Sequence, residues 1–182
     1  MSAESPIDRT RLSVDSEYPI DEVTRRILRM LERDGRTDPR QIAIVLDLPV
    51  EEIQARIQAA EAANAIVRHK AVIDWEKTNT SYVLAMIEVK VTPQRDVGFN
   101  AIAERIYRFP ETRTVYLVSG TYDLSVQVVG RSMQDISNFV AERLAPLDGV
   151  QSTVTHFIMR RFKEDGDILV EHETAERLTV SP

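Results

Sequence analysis

No cysteine occurs in this chain, so neither a disulfide framework nor thiolate chemistry is open to it. Histidine is scarce: His69, His156 and His172 are the only three, and their spacing fits no metal-ligand motif. No apolar run reaches the about 18 residues that a membrane span requires. Residues Met1 to Pro6 lack the basic-then-apolar pattern of a secretory signal. A glycine-rich phosphate loop, a His-x-x-x-His pair and a carboxylate pair beside a positioned base are missing as well. Together these absences point to a cytoplasmic protein with no metal and no cofactor, and away from an enzyme. An excess of positive charge is also lacking. Residues 1–80 carry 12 basic and 15 acidic side chains, residues 81–182 carry 11 and 14, and the whole chain has a net charge of -6. Any affinity for nucleic acid must therefore come from a local basic face.

What is present suits one medium or two small domains: 182 residues, 43% of them hydrophobic. Residues 1–18 show no periodicity and read as a flexible arm. Asp21 is placed to cap a helix running to about Asp34, with Val23, Ile27, Leu28 and Leu31 on one stripe and Gly35 as its stop. Asp38-Pro39 is a second helix start, a capping side chain followed by proline at the first helical position. This helix should bury Ile42, Ala43 and Leu46. After the turn Asp47-Leu48-Pro49, a third helix is expected over 50–63, with Ile53, Ile57 and Ala60 inward and Asn64 closing it in the left-handed conformation. Residues 65–68 and 71–74 read as a two-stranded wing. Three short helices and a wing over 19–75 make a winged helix-turn-helix.

Residues 76–81 are polar and form the expected hinge, with Trp75 packing between the domains. From 82 to 163 the pattern reads strand (82–91), helix (96–109), strand (113–119), strand (122–129), helix (132–144), strand (150–162). This βαββαβ order is ferredoxin-like, which makes the chain an α+β protein of two domains. Residues 164–182 hold six Asp/Glu and one Arg and read as an acidic tail. The runs holding Ile87, Val89, Val126 and Val128 read as long apolar edge strands, which are usually covered, so a dimer is expected.

Several short patterns in a fixed order carry a resemblance. Ile20-Asp21 leads into Ile27-Leu28; Asp34-Gly35-Arg36, Ile42-Ala43, Arg56-Ile57 and Glu61 follow. Val118-Ser119-Gly120-Thr121-Tyr122-Asp123 and Leu147-Asp148-Gly149-Val150, with Thr153 and Thr155, complete the set. In order and spacing, residues 19–163 resemble the Lrp/AsnC (feast/famine) family of prokaryotic transcription regulators. The resemblance implies a helix-turn-helix that binds double-stranded DNA and a ferredoxin-like domain that forms homodimers, which often build octamers. It also implies a small-molecule effector, usually an amino acid, bound between dimers near the Gly-x-Tyr-Asp turn.

On that view Gly120, Thr121, Tyr122 and Asp123, with Thr153 and Thr155, are the expected effector residues. Gly120 should take a positive φ in the turn. Amides near such a turn can hold a carboxylate, and Asp123 can accept from an ammonium group. Expected DNA contacts are Gln54, Arg56 and Gln58 on the third helix, Arg36 and Arg40 around the second, and Arg68 and Lys70 on the wing, with His69, Arg9 and Arg11 nearby. The third helix is acidic, however: between Asp47 and Asn64 its one cation is Arg56, against Asp47, Glu51, Glu52 and Glu61. Phosphate neutralisation by Lys and Arg supplies much of ordinary affinity. An alternative therefore stands beside the first: a weakly binding or non-binding oligomeric sensor that partners a related regulator. A third reading is set aside. Haem-pathway decarboxylases of similar layout rely on a His near the central turn, where this chain has Gly-Thr-Tyr-Asp.

Overall fold

The computed structural model of the chain describes Tyr18 and residues 20–92 and 98–170. The arm with Arg9 and Arg11, the expected helix start at Asp96, and His172 lie outside the described residues. The chain divides into two compact units after Ala71.

The first unit contains α1 (Glu22–Arg33), α2 (Pro39–Leu46) and α3 (Val50–Ala62). Their starts follow from side-chain acceptors. Asp21 accepts from the Thr24 amide at 2.7 Å and Asp38 from the Arg40 amide at 2.8 Å, each satisfying a donor that the helix leaves open. Asp47, at φ 54, ends α2 in the left-handed region and turns the chain into α3; Asn64, at φ 56, closes α3. Ile27, Ile42, Ala43 and Ile53 form the buried centre.

Gly35 stands where expected, directly after the α1 cap Asp34, which is in extended backbone at φ -144. The lack of a side chain at Gly35 leaves room for His69, whose Nδ1 lies 3.2 Å from where a Cβ would stand. One expectation for this unit needs correction. Residues 65–74 form no strand, so the wing segments carry no ladder. His69 ties this segment back to α3 through Glu61, at 3.3 Å.

The second unit opens with a 3₁₀ turn (Trp75–Lys77) and then runs β1 (Val83–Val91), α4 (Asn100–Tyr107), β2 (Thr112–Leu117), β3 (Leu124–Gly130), α5 (Met133–Phe139) continuing as a π-helical segment (Val140–Leu144), and β4 (Val150–Phe157). The sheet is antiparallel in the order β2-β3-β1-β4, which is the ferredoxin-like βαββαβ arrangement. Period-2 patterning puts Ala85, Ile87, Val89 and Val91 of β1 and Leu124, Val126 and Val128 of β3 on one face, where Ile102, Ile106, Ile136, Phe139 and Leu144 cover them. β1 and β3 are therefore the central strands, not edges. Ile87, Val89, Val126 and Val128 are fully buried, and the argument from bare edges to a dimer does not apply to them.

Trp75 stacks on Tyr82 inside the second unit, with ring centroids 5.4 Å apart. Buried Arg161 lies over the same tyrosine ring, 5.4 Å from its centroid, and 3.7 Å from Asp74. In the expected tail, Asp165 (φ 46) and Gly166 (φ 97) join two short strands, β5 (Lys163–Glu164) and β6 (Asp167–Ile168), into a hairpin.

Candidate functional site

In the first unit, α2, the turn at Asp47 and α3 form the helix-turn-helix, and the burial of Ile53 and Ala60 decides which side of α3 faces out. Gln54, Ala55, Gln58, Ala59 and Ala62 are exposed on that side. Arg56 is not on it. Its guanidinium is held by Asp21 at 2.6 Å, by Glu52 at 2.9 Å and by the Thr24 hydroxyl at 2.8 Å. The clamp joins α3 to the start of α1. The Thr24 amide and then Arg56 pull the Asp21 carboxyl down to about 2, and Asp21 and Glu52 in turn raise Arg56. Arg36 and Arg40 are exposed before and at the start of α2, and Arg68 and Lys70 are exposed after α3.

In the second unit, Asp123 turns inward on its own sheet. Its Oδ2 accepts from the Val91 amide at 2.9 Å, and Lys90 Nζ lies 3.4 Å from the same oxygen. β3 pairs with β1 only as far as Leu124 and Val89, and the carboxylate takes up the next donor of β1 on that side. The Asp123 amide donates to Val89 O at 3.1 Å, and the Val118 amide donates to Asp123 O at 2.9 Å, so both ends of the turn are fixed. Between them Ser119, Gly120 and Thr121 are exposed and Tyr122 is half-buried.

Gly120 does not take a positive φ; that expectation is corrected, and a Cβ there would meet nothing within 4 Å. Among the described residues, no backbone hydrogen bond engages the amides of residues 119 to 122. Thr153 and Thr155 lie on β4 opposite Val89 and Ile87, on the helix-covered face and half-buried. β1 stands between them and the turn, so the expected effector residues lie at one end of the sheet but on two sides of its central strand. Gly149, next to this end, is left-handed at φ 93, and its Thr92–Gly149 backbone bond of 2.8 Å closes the sheet there.

The sequence reading missed the Arg56 clamp because its partners lie up to 35 residues away. It also missed the Arg161–Tyr82–Trp75 stack, for which no local signal exists.

These two units make the chain a helix-turn-helix transcription regulator that carries its own ligand-binding domain. Residues 20–67 match the winged helix-turn-helix DNA-binding family, and residues 84–168 match the Lrp/AsnC ligand binding domain. The chain is 46% identical over 157 residues to the uncharacterised HTH-type transcriptional regulator YugG of Bacillus subtilis, covering 86% of this chain and 95% of that protein. It is 28% identical over 153 residues to the HTH-type transcriptional regulator FL11 of Pyrococcus horikoshii, covering 84% and 98%. Among solved structures, the complex of a Neisseria meningitidis transcriptional regulator with L-Met superposes with a TM-score of 0.66 at 23% identity, over 80% of this chain and 94% of that one. AsnC of E. coli superposes at 0.62 with 20% identity, over 79% and 95%.

The chain belongs to the Lrp/AsnC family of transcription regulators. The match of its first unit to a DNA-binding family favours effector-responsive DNA binding over the non-binding alternative. Among the described residues no helix is long and apolar enough to cross a membrane.

Proposed function

We propose that this chain is a cytoplasmic, non-enzymatic regulator that responds to an amino acid and acts on duplex DNA as a homodimer or a larger assembly of dimers. The observation that carries the effector half is the β2–β3 turn. Its two ends are bonded to each other through Val118 N and Asp123 O and to β1 through Asp123 N and Val89 O, while the amides of 119 to 122 engage no backbone acceptor among the described residues. A turn fixed at both ends, whose amides engage no backbone acceptor, suits a carboxylate. Gly120, Thr121 and Tyr122 then contact the effector, Asp123 positions the turn, and Thr153 and Thr155 line the β4 side. A methionine-bound relative of the same fold supports an amino acid as the class of ligand.

The dimer rests on the face of the sheet that the helices leave open. Tyr116 and Val154 are exposed there, beside a contact of His156 Nε2 with Glu88 Oε1 at 3.2 Å. One-sided antiparallel sheets bury the second face by pairing or leave it polar, and this one is mixed. In the DNA half, Arg36, Arg40, Arg68 and Lys70 meet phosphates while α3 lies in the major groove.

A thermal-shift series with each proteinogenic amino acid, followed by gel-shift titrations in rising salt, tests both halves. One or a few amino acids should raise the melting temperature with dose, by mass action. Binding should weaken with salt at a slope of about -0.9 per phosphate neutralised. Absence of any stabilisation at millimolar ligand would remove the amino-acid reading. Absence of duplex binding at low salt, with and without amino acids, would remove the DNA reading.

A further inference from the structure

The outward face of α3 is defined by what it offers a base edge. Gln54 and Gln58 are exposed four residues apart, and Ala55, Ala59 and Ala62 fill the space between and beyond them. The only cation of the helix, Arg56, is clamped by Asp21, Glu52 and Thr24. Guanine is read mainly by Arg or Lys donating to O6 and N7. No Arg or Lys stands on this face.

The groups that are there match the other base pair. A carboxamide accepts from adenine N6 and donates to adenine N7, and a methyl side chain packs on the C5-methyl of thymine. Glu51, exposed in the first turn, is an acceptor only and can take an exocyclic amine of adenine or of cytosine, so it does not itself choose between the two base pairs.

We propose that α3 reads adenine–thymine steps, Gln54 and Gln58 each engaging the N6/N7 edge of an adenine while Ala55 and Ala59 pack on thymine methyl groups. Four residues rise about 6 Å along a helix, and base pairs are stacked about 3.4 Å apart. The two adenines are therefore about two base pairs apart. The proposal rests on the DNA-binding reading above and adds to it the sequence class that the helix selects.

The test uses the full chain and randomised duplexes, selected by binding in low-salt buffer with and without a mixture of amino acids. Anisotropy titrations on the selected duplex follow, with 7-deazaadenine or uracil placed at single positions. The first analogue removes the N7 acceptor and the second removes the thymine methyl. Selection should enrich adenine–thymine pairs at two positions about two steps apart. A 7-deazaadenine at either should weaken binding about ten-fold, and uracil should weaken it several-fold.

Gln58→Ala, checked for an unchanged melting temperature, should lose the response to 7-deazaadenine at one position and keep it at the other. A selected core of guanine–cytosine pairs, or binding indifferent to both analogues, would overturn the assignment and leave DNA binding standing. No enrichment and no binding in either condition, by a chain shown to be folded, would overturn the DNA reading and this assignment with it.

Discussion

Among the described residues, the helical unit buries four residues in its core cluster, Ile27, Ile42, Ala43 and Ile53, and the sheet unit buries twelve. Each full burial of a Val, Leu or Ile side chain contributes about 1.5–3 kcal/mol, so the two units start from different reserves. The helical unit adds polar ties at its helix ends: the Asp21 and Asp38 caps, and Arg56 linking α3 to α1. The sheet unit holds its strands by burial and uses charge locally, as where Asp123 takes up the Val91 amide beyond the end of β3. In both, the charged group that looks most like a ligand contact in the sequence is occupied by the fold. The consequence differs. In the small unit the occupied group supports the whole arrangement, and in the large one it shapes a single turn.

The comparison can be broken most directly in the cores. Ile53→Ala should cost about 2–5 kcal/mol, as much as a small core supplies. The helical unit should then be unfolded while the sheet unit keeps its strand signals, as amide resonances or a two-step melt would record. Ile87→Ala removes a similar amount from the larger core and should lower the melting temperature without unfolding it. Loss of both units together in Ile53→Ala would contradict separate reserves. Next in size is a backbone change in the sheet unit. Gly149 is at φ 93, and a Cβ there would stand 2.7 Å from Ile102 Cδ1. Gly149→Ala should cost about 2–4 kcal/mol, part from the left-handed backbone and part from overpacking. A neutral result in a urea melt would mean that this end of the sheet yields easily.

The fold was legible wherever the signal was local. The Asp21 and Asp38-Pro39 helix starts, the Asn64 closure, the alternation in β1 and β3 and the Ser132 cap all depend on residues within a few positions of one another, and element order followed from them. Strand order did not. Period-2 patterning marks which residues of Val83–Val91 share a face, but edge and central strands differ only in partners that are distant in the chain. The wing segments carry β-branched residues and yet form no ladder, because propensity without a partner strand does not make one. Reading residues 164–182 as a tail overlooks Asp165-Gly166, a hairpin signal that was there to be used. At the sites, exposure of Gln54 and Gln58 follows from helical period alone. The fate of Arg56 and Asp123 depends on contacts 35 and 32 residues away in the chain, which no local pattern encodes.

A smaller effect sharpens the electrostatic side of the comparison. Asp21 is held near 2 in the folded chain, against about 3.9 for an unperturbed Asp. A lowered carboxyl contributes stability above its unfolded value and loses it as pH falls through the folded one. Asn at this position retains an N-cap acceptor but not the charge. Asp21→Asn should therefore be slightly less stable than the parent near neutrality, and the gap should close between about pH 4 and pH 2. Urea midpoints of the helical signal at several pH values give the gap directly. A constant gap across that range would assign the tie to hydrogen bonding without a net charge effect.

The smallest expected change in stability is the one that best separates fold from function in the sheet unit. Gly120 has an ordinary backbone conformation and open space around its missing Cβ. Gly120→Ala should alter stability by no more than about 0.5 kcal/mol, as for other surface positions. If the amides of the turn hold a carboxylate, the added methyl stands where the ligand must approach, and the amino-acid-induced rise in melting temperature should shrink sharply in the variant. A destabilised variant would show that the turn packs against something, and an unchanged ligand response would move the effector away from the turn. Asp123→Ala is the contrasting case. Removing that carboxylate leaves the Val91 amide without its acceptor, so stability and ligand response should fall together. Gly120 should affect only the second because the fold does not depend on it.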